Sequence, residues 1–462
     1  MALRHSARPL WWDSPTGRGE GTARGAGKAS DLPQAADVVV VGGGYTGLWT
    51  AFYLLRAQPG RDVVVLEAEH VGFGASGRNG GWVSALWPVG ADALEARHGR
   101  SAAQAQLAAL RDTVDEVGRV DEQEGLGAGF VKGGALMVAR TPAQEARARV
   151  SAAHSAAWDD GTVWLDAAAT RSRLDVAGAL GATYTPNCAR VHPRRLVDGL
   201  ADAVRRLGGR VVEGARVVRT GDRVVVLADG RRVSAANVVV ATEGWTGSLH
   251  GMGRRVVPVY SLMVATEPID DERWARIGLA GHEVFSDHGH VVIYGQRTDD
   301  GRIAFGGRGA PYHWGSAIRP EFDDEPEVFE ALRSTLRALL PQLDGVAFTH
   351  AWGGPLGIAR DWNPAVTWDP ATRTGRAGGY VGDGVAASNL AGRTLADLVR
   401  GVESPLTALP WVGHRSPRWE PEPLRWLGVN AGLRLARLAD REEESTGRPA
   451  RLGALLGRLT AH

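Results

Sequence analysis

The chain has 462 residues, too many for one compact core, so more than one domain is expected. Hydrophobic residues make up 44%, as in a folded globular protein, which excludes wholesale disorder. The formal net charge is +1, from 53 basic and 52 acidic residues, and gives no bias toward nucleic acid or an anionic surface. Cys188 is the single cysteine, so no intrachain disulfide or cysteine metal cluster can form, and a reducing cytoplasm is the simplest setting. Met1 to Ser6 is not followed by the apolar core of a secretory signal, and no run of eighteen apolar residues occurs. Lysine occurs only at Lys28 and Lys132.

Residues 1–36 read as a leader, rich in Gly, Arg, Ala and Ser from residue 14 onward. Within it Leu10-Trp11-Trp12 is an apolar cluster able to pack back onto the body. Val38 to Val41 is an uninterrupted β-branched run, the pattern of a buried parallel strand. Leu48 to Ala57 predicts a helix, broken at Gln58-Pro59-Gly60, and Val63 to Leu66 a second buried strand ending in Glu67. Further helices are predicted over 91–124, Pro142 to Ala157 and Arg194 to Leu207, with a strand from Phe130 to Ala139. A strand from Arg210 to Val212 precedes a meander over Val217 to Leu227 and Arg231 to Val233, and Val238 to Ala241 is again fully apolar. Val256 to Thr266, Val291 to Tyr294 and Arg302 to Phe305 alternate like strands with one wet face. Phe329 to Leu340 predicts a helix, and Gly378 to Gly384 runs into another from Ala386 to Arg400. The tail beyond Pro405 carries one amphipathic helix near Leu424 to Glu443, with Leu427, Leu435 and Leu438 among Arg434, Arg437 and Arg441. Docking on its own body, a partner, a membrane surface and a dimer are the roles open to it.

Between the first strand and helix, Gly42, Gly44 and Gly47 give G-x-G-x-x-G. Each glycine has a reason: a tight turn, close backbone approach to a pyrophosphate, and close helix–strand contact. The helix start offers N–H groups and a favourable dipole to the diphosphate. Glu67 lies 20 residues after Gly47, placed to accept hydrogen bonds from an adenosine ribose. A carboxylate there repels a 2′-phosphate, which disfavours NADP. The competing reading is a plain tight turn with a solvated acid.

The next segment favours a flavin over NAD. Gly72 to Trp82 is a long glycine-rich loop, and a second glycine cluster, Gly378 to Gly384, opens a helix near the other end of the chain. That helix start can stabilise negative charge near N1 and O2 of a reduced flavin.

Val41-Gly42-Gly43-Gly44-Tyr45-Thr46-Gly47-Leu48, Leu66-Glu67-Ala68 and Gly74 to Gly81 carry a resemblance, as do His192-Pro193, Val238 to Thr242 and Gly382 to Val385. The chain from about Asp37 to Arg400 resembles the FAD-dependent amine and D-amino-acid oxidase superfamily, which includes glycine oxidase, sarcosine oxidase and the γ-glutamylputrescine oxidase-like branch. The resemblance implies an α/β fold: an FAD-binding Rossmann-like domain plus a substrate domain on an antiparallel sheet, discontinuous in sequence. The expected division is 37–90, 188–250 and 345–402 for FAD, 91–187 and 251–344 for substrate, and 403–462 as a helical tail. Val217 is expected beside the adenine, Glu67 at its ribose, and Arg78, Asn79, Gly80 and Gly81 by the flavin. Tyr45, Thr46, Ala68 and Ser76 are further expected cofactor-binding residues. Thr242, Gly354, Gly382 and Gly384 complete the expected cofactor set. A surface arginine is the competing reading of Arg78, and its place inside a glycine loop favours the flavin. Members that tether FAD covalently use a cysteine or histidine near the ring; Cys188 is badly placed for that, so FAD is expected to be noncovalent.

The implied reaction is hydride transfer from a carbon bearing an amine to flavin N5, the imine then hydrolysing. Tyr260, Tyr294 and Arg308 are the candidate substrate contacts, with core tyrosines and a surface ion pair as the competing readings. His313 and Trp314 are candidates for the entrance, and Trp82, Trp87 and Trp352 for pocket walls. Sarcosine oxidases use a lysine near the flavin for reaction with oxygen; Val256 to Phe305 contains none. Expected partners are therefore a small amine or amino acid and either oxygen or another electron acceptor, with oligomeric state open. An NAD-linked dehydrogenase and a noncatalytic FAD-binding subunit are the alternatives.

Overall fold

The computed structural model describes residues 8–13 and 32–451. The 14–31 part of the leader, residues 1–7 and residues 452–462 lie outside the described residues.

The apolar run of the first strand has the consequence its composition demands. Ala35–Val41 lies in the middle of a sheet, with Val38 to Val40 fully buried on both faces. It pairs in parallel with Val63–Leu66 on one side and Arg232–Val240 on the other, Val40 opposite Val65 and Val239. Arg210–Val212 extends the sheet on one side; Thr374–Gly378 and then Ala365–Asp369 extend it on the other. Helix Tyr45–Ala57 covers one face together with Pro193–Arg206 and Gly384–Arg400, burying Leu48, Trp49 and Phe52.

The expected meander is a hairpin followed by one long strand. Val217–Gly221 and Val224–Leu227 pair antiparallel around Asp222 and Arg223, both at positive φ, which matches the right-handed strand twist. The two runs read separately at Arg231 and Val238 are one strand, Arg232–Val240, alternating at first and then buried throughout as it enters the parallel core.

The second sheet has the order Phe348–Ala359, Val256–Thr266, Ile303–Arg308, Ile293–Arg297, Val284–Asp287, Ala135–Ala139, Gly181–Thr185, Val163–Asp166. It is antiparallel except where Val284–Asp287 runs parallel to Ala135–Ala139. Phe348–Ala359 pairs along nearly its whole length with Val256–Thr266, so this stretch of the expected FAD segment 345–402 sits in the second sheet. Alternation divides the long central strand between two faces. Tyr260, Leu262 and Val264 enter a core under helix Pro326–Leu339, with Phe329, Leu332 and Leu336. Met263 and Ala265 meet Leu10, Trp11, Ala304 and Trp352 on the other face.

Several boundaries depart from the sequence reading. The helical stretch 91–124 is two helices, Ala91–His98 and Arg100–Glu124, separated at Gly99 with φ 81°. The expected strand from Phe130 begins only at Ala135, because Gly133 packs against the backbone of Gly281 and His282 and Gly134 takes φ 83°. The tail helix, Leu424–Thr446, docks on the chain's own body: Glu443 pairs with Arg147 at 2.9 Å and His290 at 3.0 Å. No helix among the described residues is long and apolar enough to cross a membrane.

Candidate active site

Parallel strands of an open sheet end together, and their C-terminal ends leave a crevice where helix starts and loops converge. Here Val41, Leu66 and Val240 end side by side. The cleft over them is lined in turn by Gly42 and Gly44, by Glu67 and Ala68, and by Thr242 and Glu243.

The first turn is built for close approach. Gly42 has φ 111°, and a Cβ there would lie 2.5 Å from the carbonyl oxygen of Ala241. Gly47 lines no part of the cleft; a Cβ on it would overlap the carbonyl oxygen of Gly42, so it brings helix and strand together. Helix Tyr45–Ala57 starts at Gly44 with no side-chain cap of its own. Ser76 reaches in from the glycine-rich loop, and its hydroxyl accepts from the Tyr45 N–H at 2.9 Å. Tyr45, Thr46 and Ser76 all line the cleft.

Glu67 accepts from the N–H of Gly43 at 2.7 Å and of Glu69 at 3.0 Å. Burial raises its pKa above the ordinary carboxylate value against the pull of those two donors. Val217 lines the same end, beside Ala215 and Arg216. Gly382 and Gly384 line the other end, below the start of helix Gly384–Arg400.

Of the loop residues expected at the flavin, Asn79 lines the cleft; Arg78, Gly80 and Gly81 lie beyond it, against the second sheet. The Arg78 guanidinium donates to Asp323 at 2.6 Å and to the carbonyls of Phe73 at 2.8 Å and Gly353 at 3.0 Å. It is therefore not a solvated surface arginine. Gly354 sits against its side chain, outside the cleft. A Cβ on Gly80 would lie 2.6 Å from the Tyr294 ring, and one on Gly81 would overlap the Gln296 side chain.

The structure separates the three candidate substrate contacts. Tyr294 faces the loop, its hydroxyl 2.8 Å from Ser261 Oγ. Tyr260 does not join it: one residue earlier than Ser261, it points into the opposite core, where its hydroxyl accepts from the Arg319 N–H at 3.3 Å. The core reading therefore holds for Tyr260, by the period of two of a strand. Arg308 pairs through its backbone with Ser261, and its side chain lies outside the described residues.

Trp352 is buried against Leu10, Trp11 and Met263, outside the cleft lining, and its indole N–H donates to the Arg78 carbonyl at 2.9 Å. Trp82 makes an edge contact with Tyr294, ring centroids 6.4 Å apart. Trp87 does not: it packs on Trp411 in the first core. His313 stacks on Phe322 beside Tyr260, and Trp314 is 58% exposed. Lys132 pairs with Asp115 at 2.5 Å on the surface. Cys188 is fully buried, with burial pushing its thiol up to about 12.

Residues 37–398 match the sequence profile of the family described as FAD dependent oxidoreductase. The chain belongs to that family. It is therefore an FAD-dependent oxidoreductase, and the choice between FAD and NAD falls to FAD. It is 32% identical over 378 residues to the γ-glutamylputrescine oxidoreductase of Escherichia coli, covering 79% of this chain and 84% of that one. It is 30% identical over 387 residues to the probable oxidoreductase OrdL of Rhizobium meliloti, covering 81% and 85%. Among solved structures it is similar in fold to glycine oxidase from Geobacillus kaustophilus, with TM-score 0.67, 21% identity and coverage of 83% and 100%. L-proline dehydrogenase from P. horikoshii matches with TM-score 0.67, 19% identity and coverage of 82% and 96%.

Sequence reasoning missed Glu243, Trp245, Tyr380 and Ser388 on the cleft walls. Glu243 and Trp245 follow the apolar strand closely, so the rule that ligands gather at strand ends finds them without a motif. Tyr380, whose hydroxyl lies 2.9 Å from Thr46 Oγ1, sits inside the Gly378 to Gly384 cluster, which was the signal that could have found it.

Proposed function

We propose that this oxidoreductase oxidises the C–N bond of a small amine or amino acid with noncovalent FAD held in the strand-end cleft. One observation carries the reading. The cleft ends at the Ser76–Gly81 loop, and that loop abuts the face of the second sheet bearing Tyr294, Ser261 and Trp352. A cofactor lying along the first sheet thereby meets a substrate held by the second.

The residues fit FAD. Gly42 and Gly44 leave backbone bare where a diphosphate would approach, and the helix start beyond them favours negative charge. Glu67 is the acceptor for ribose hydroxyls, and Val217 the apolar flank for adenine. Gly382 and Gly384 border the reacting end with Asn79. Cys188 pairs in a small sheet away from the cleft and is inert as a thiol, which supports noncovalent binding.

When bound, FAD supplies a hydride acceptor, so the amine carbon is oxidised and the resulting imine hydrolyses in water. The chain's part is orientation and exclusion of water. Trp352 and Trp82 wall the loop, and Arg78 is fixed by three acceptors so that its carbonyl can receive the Trp352 N–H. Tyr294 and Ser261 present the polar pair on an otherwise apolar face. The named relative that acts on γ-glutamylputrescine supports an amine as substrate.

Anaerobic titration of the purified protein with a panel of amines and amino acids tests the proposal. Bleaching of the flavin absorbance by at least one member is expected, and return of colour on admitting air would assign oxygen as acceptor. Flavin that no member reduces would refute it.

A further inference from the structure

Glu243 stands at positive φ, 43°, directly after the strand-end residues Ala241 and Thr242. A non-glycine residue in that region is costly and persists where surrounding contacts hold it. Its carboxylate supplies them. Oε2 accepts from the Gly357 N–H at 2.7 Å; Oε1 accepts from the N–H groups of Gly379 at 3.1 Å and Tyr380 at 3.0 Å. Gly357 is on the long edge strand of the second sheet, whereas Gly379 and Tyr380 begin the glycine loop that leads to Gly384. One side chain from the end of Arg232–Val240 thus gathers two other segments at the wall of the cofactor cleft. A Cβ on Gly357 would overlap that carboxylate, so the strand is shaped to admit it.

We propose that Glu243 is a positioning residue whose carboxylate latches strand Phe348–Ala359 to the Gly378–Gly384 loop, setting how tightly the chain retains FAD. The latch concerns retention of the cofactor and holds whatever amine is oxidised.

The carboxylate is fully buried, and burial raises the carboxyl to about 7 against the pull of the backbone donors at Tyr380, Gly357 and Gly379. The latched carboxyl therefore holds its proton more firmly than a solvated one, and rising pH by itself does not tighten the latch. Tyr380 is the titratable group facing Glu243 from the loop; burial raises its pKa, so it stays neutral throughout. The neighbouring strand offers Pro355, Leu356 and Gly357, none of which titrates.

The test compares wild type, Glu243→Gln and Glu243→Ala, each purified with FAD, by the FAD dissociation constant at pH 8.5 from flavin fluorescence. Hydrogen bonds to a charged acceptor predict about tenfold weaker FAD binding for both variants. Circular dichroism checks the fold. If the Ala variant does not fold, the Gln variant, of the same shape, decides. Wild-type affinity in the Gln variant would overturn the proposal.

Discussion

Replacing Gly42 by alanine should cost stability and cofactor together. Two separable terms act. At φ 111° an L side chain is strained, which costs roughly 1–2 kcal/mol. The new Cβ would also stand 2.5 Å from the Ala241 carbonyl oxygen and 3.0 Å from its carbon, both backbone atoms of the neighbouring strand. Ordinary contact needs almost 1 Å more, so strand and turn must part, at about 1–3 kcal/mol for overpacking. Gly60→Ala is the control: φ is 83°, yet nothing lies within 4 Å of the added Cβ, so it carries the conformational term alone. In a chain this long each kcal/mol shifts Tm by roughly 1 °C, so a fall of about 2–5 °C is expected for Gly42→Ala and about 1–2 °C for Gly60→Ala. FAD retention separates them further, because Gly42 lines the cleft and Gly60 does not. Thermal melts with and without added FAD, with flavin content after gel filtration, make the measurement. If Gly42→Ala melts with Gly60→Ala and keeps its flavin, the strand-end cradle is misassigned.

Other consequences can be checked in parallel. Tyr294→Phe removes the hydroxyl paired with Ser261 but keeps the ring over Gly80, so flavin content should hold while the rate of anaerobic bleaching by amine falls about tenfold. Trp11→Ala loses a buried indole and its bond to the Asn79 carbonyl, and about 3–5 kcal/mol of stability by denaturant titration. Cys188 should resist alkylation in the native protein and react on unfolding, as read by mass spectrometry. Despite burial, hydrogen bonds from Arg147 and His290 hold Glu443 down to about 2. Its contribution to docking the tail helix is present above the ordinary glutamate pKa and lost as pH falls from there toward 2. Proteolysis of the tail should rise over that interval, and Glu443→Gln should show the susceptibility already at pH 7.

The parallel core was legible because buried parallel strands need unbroken apolar runs, and glycines at a strand–helix turn leave little choice of geometry. That Gly42, Gly44, Glu67 and Ser76 line one cleft follows from the same local geometry, since each sits close to the element that places it. What escaped depended on contacts far apart in sequence. Phe348–Ala359 reads as neither strand nor helix, having Gly353, Gly354 and Gly357 in its length, and is held by Val256–Thr266. Tyr260 and Tyr294 look equivalent in one dimension; the register that sets Ser261 rather than Tyr260 on the loop face is a property of the assembled sheet. The strand-end rule places Glu243 at the cleft, but its latching role was hidden, since its partners arrive 114 and 136 residues later.

The two faces of Val256–Thr266 divide labour by the parity of residue number. Even positions 260, 262 and 264 are sealed beneath a helix, while odd positions 261, 263 and 265 face Tyr294, Leu10, Trp11 and Trp352. Variation at 263 and 265 is felt by Leu10, Trp11 and Trp352, and variation at the even positions by helix Pro326–Leu339. A single-residue deletion within the strand would exchange the two faces for every residue beyond it, and two separate cores would lose their partners at once.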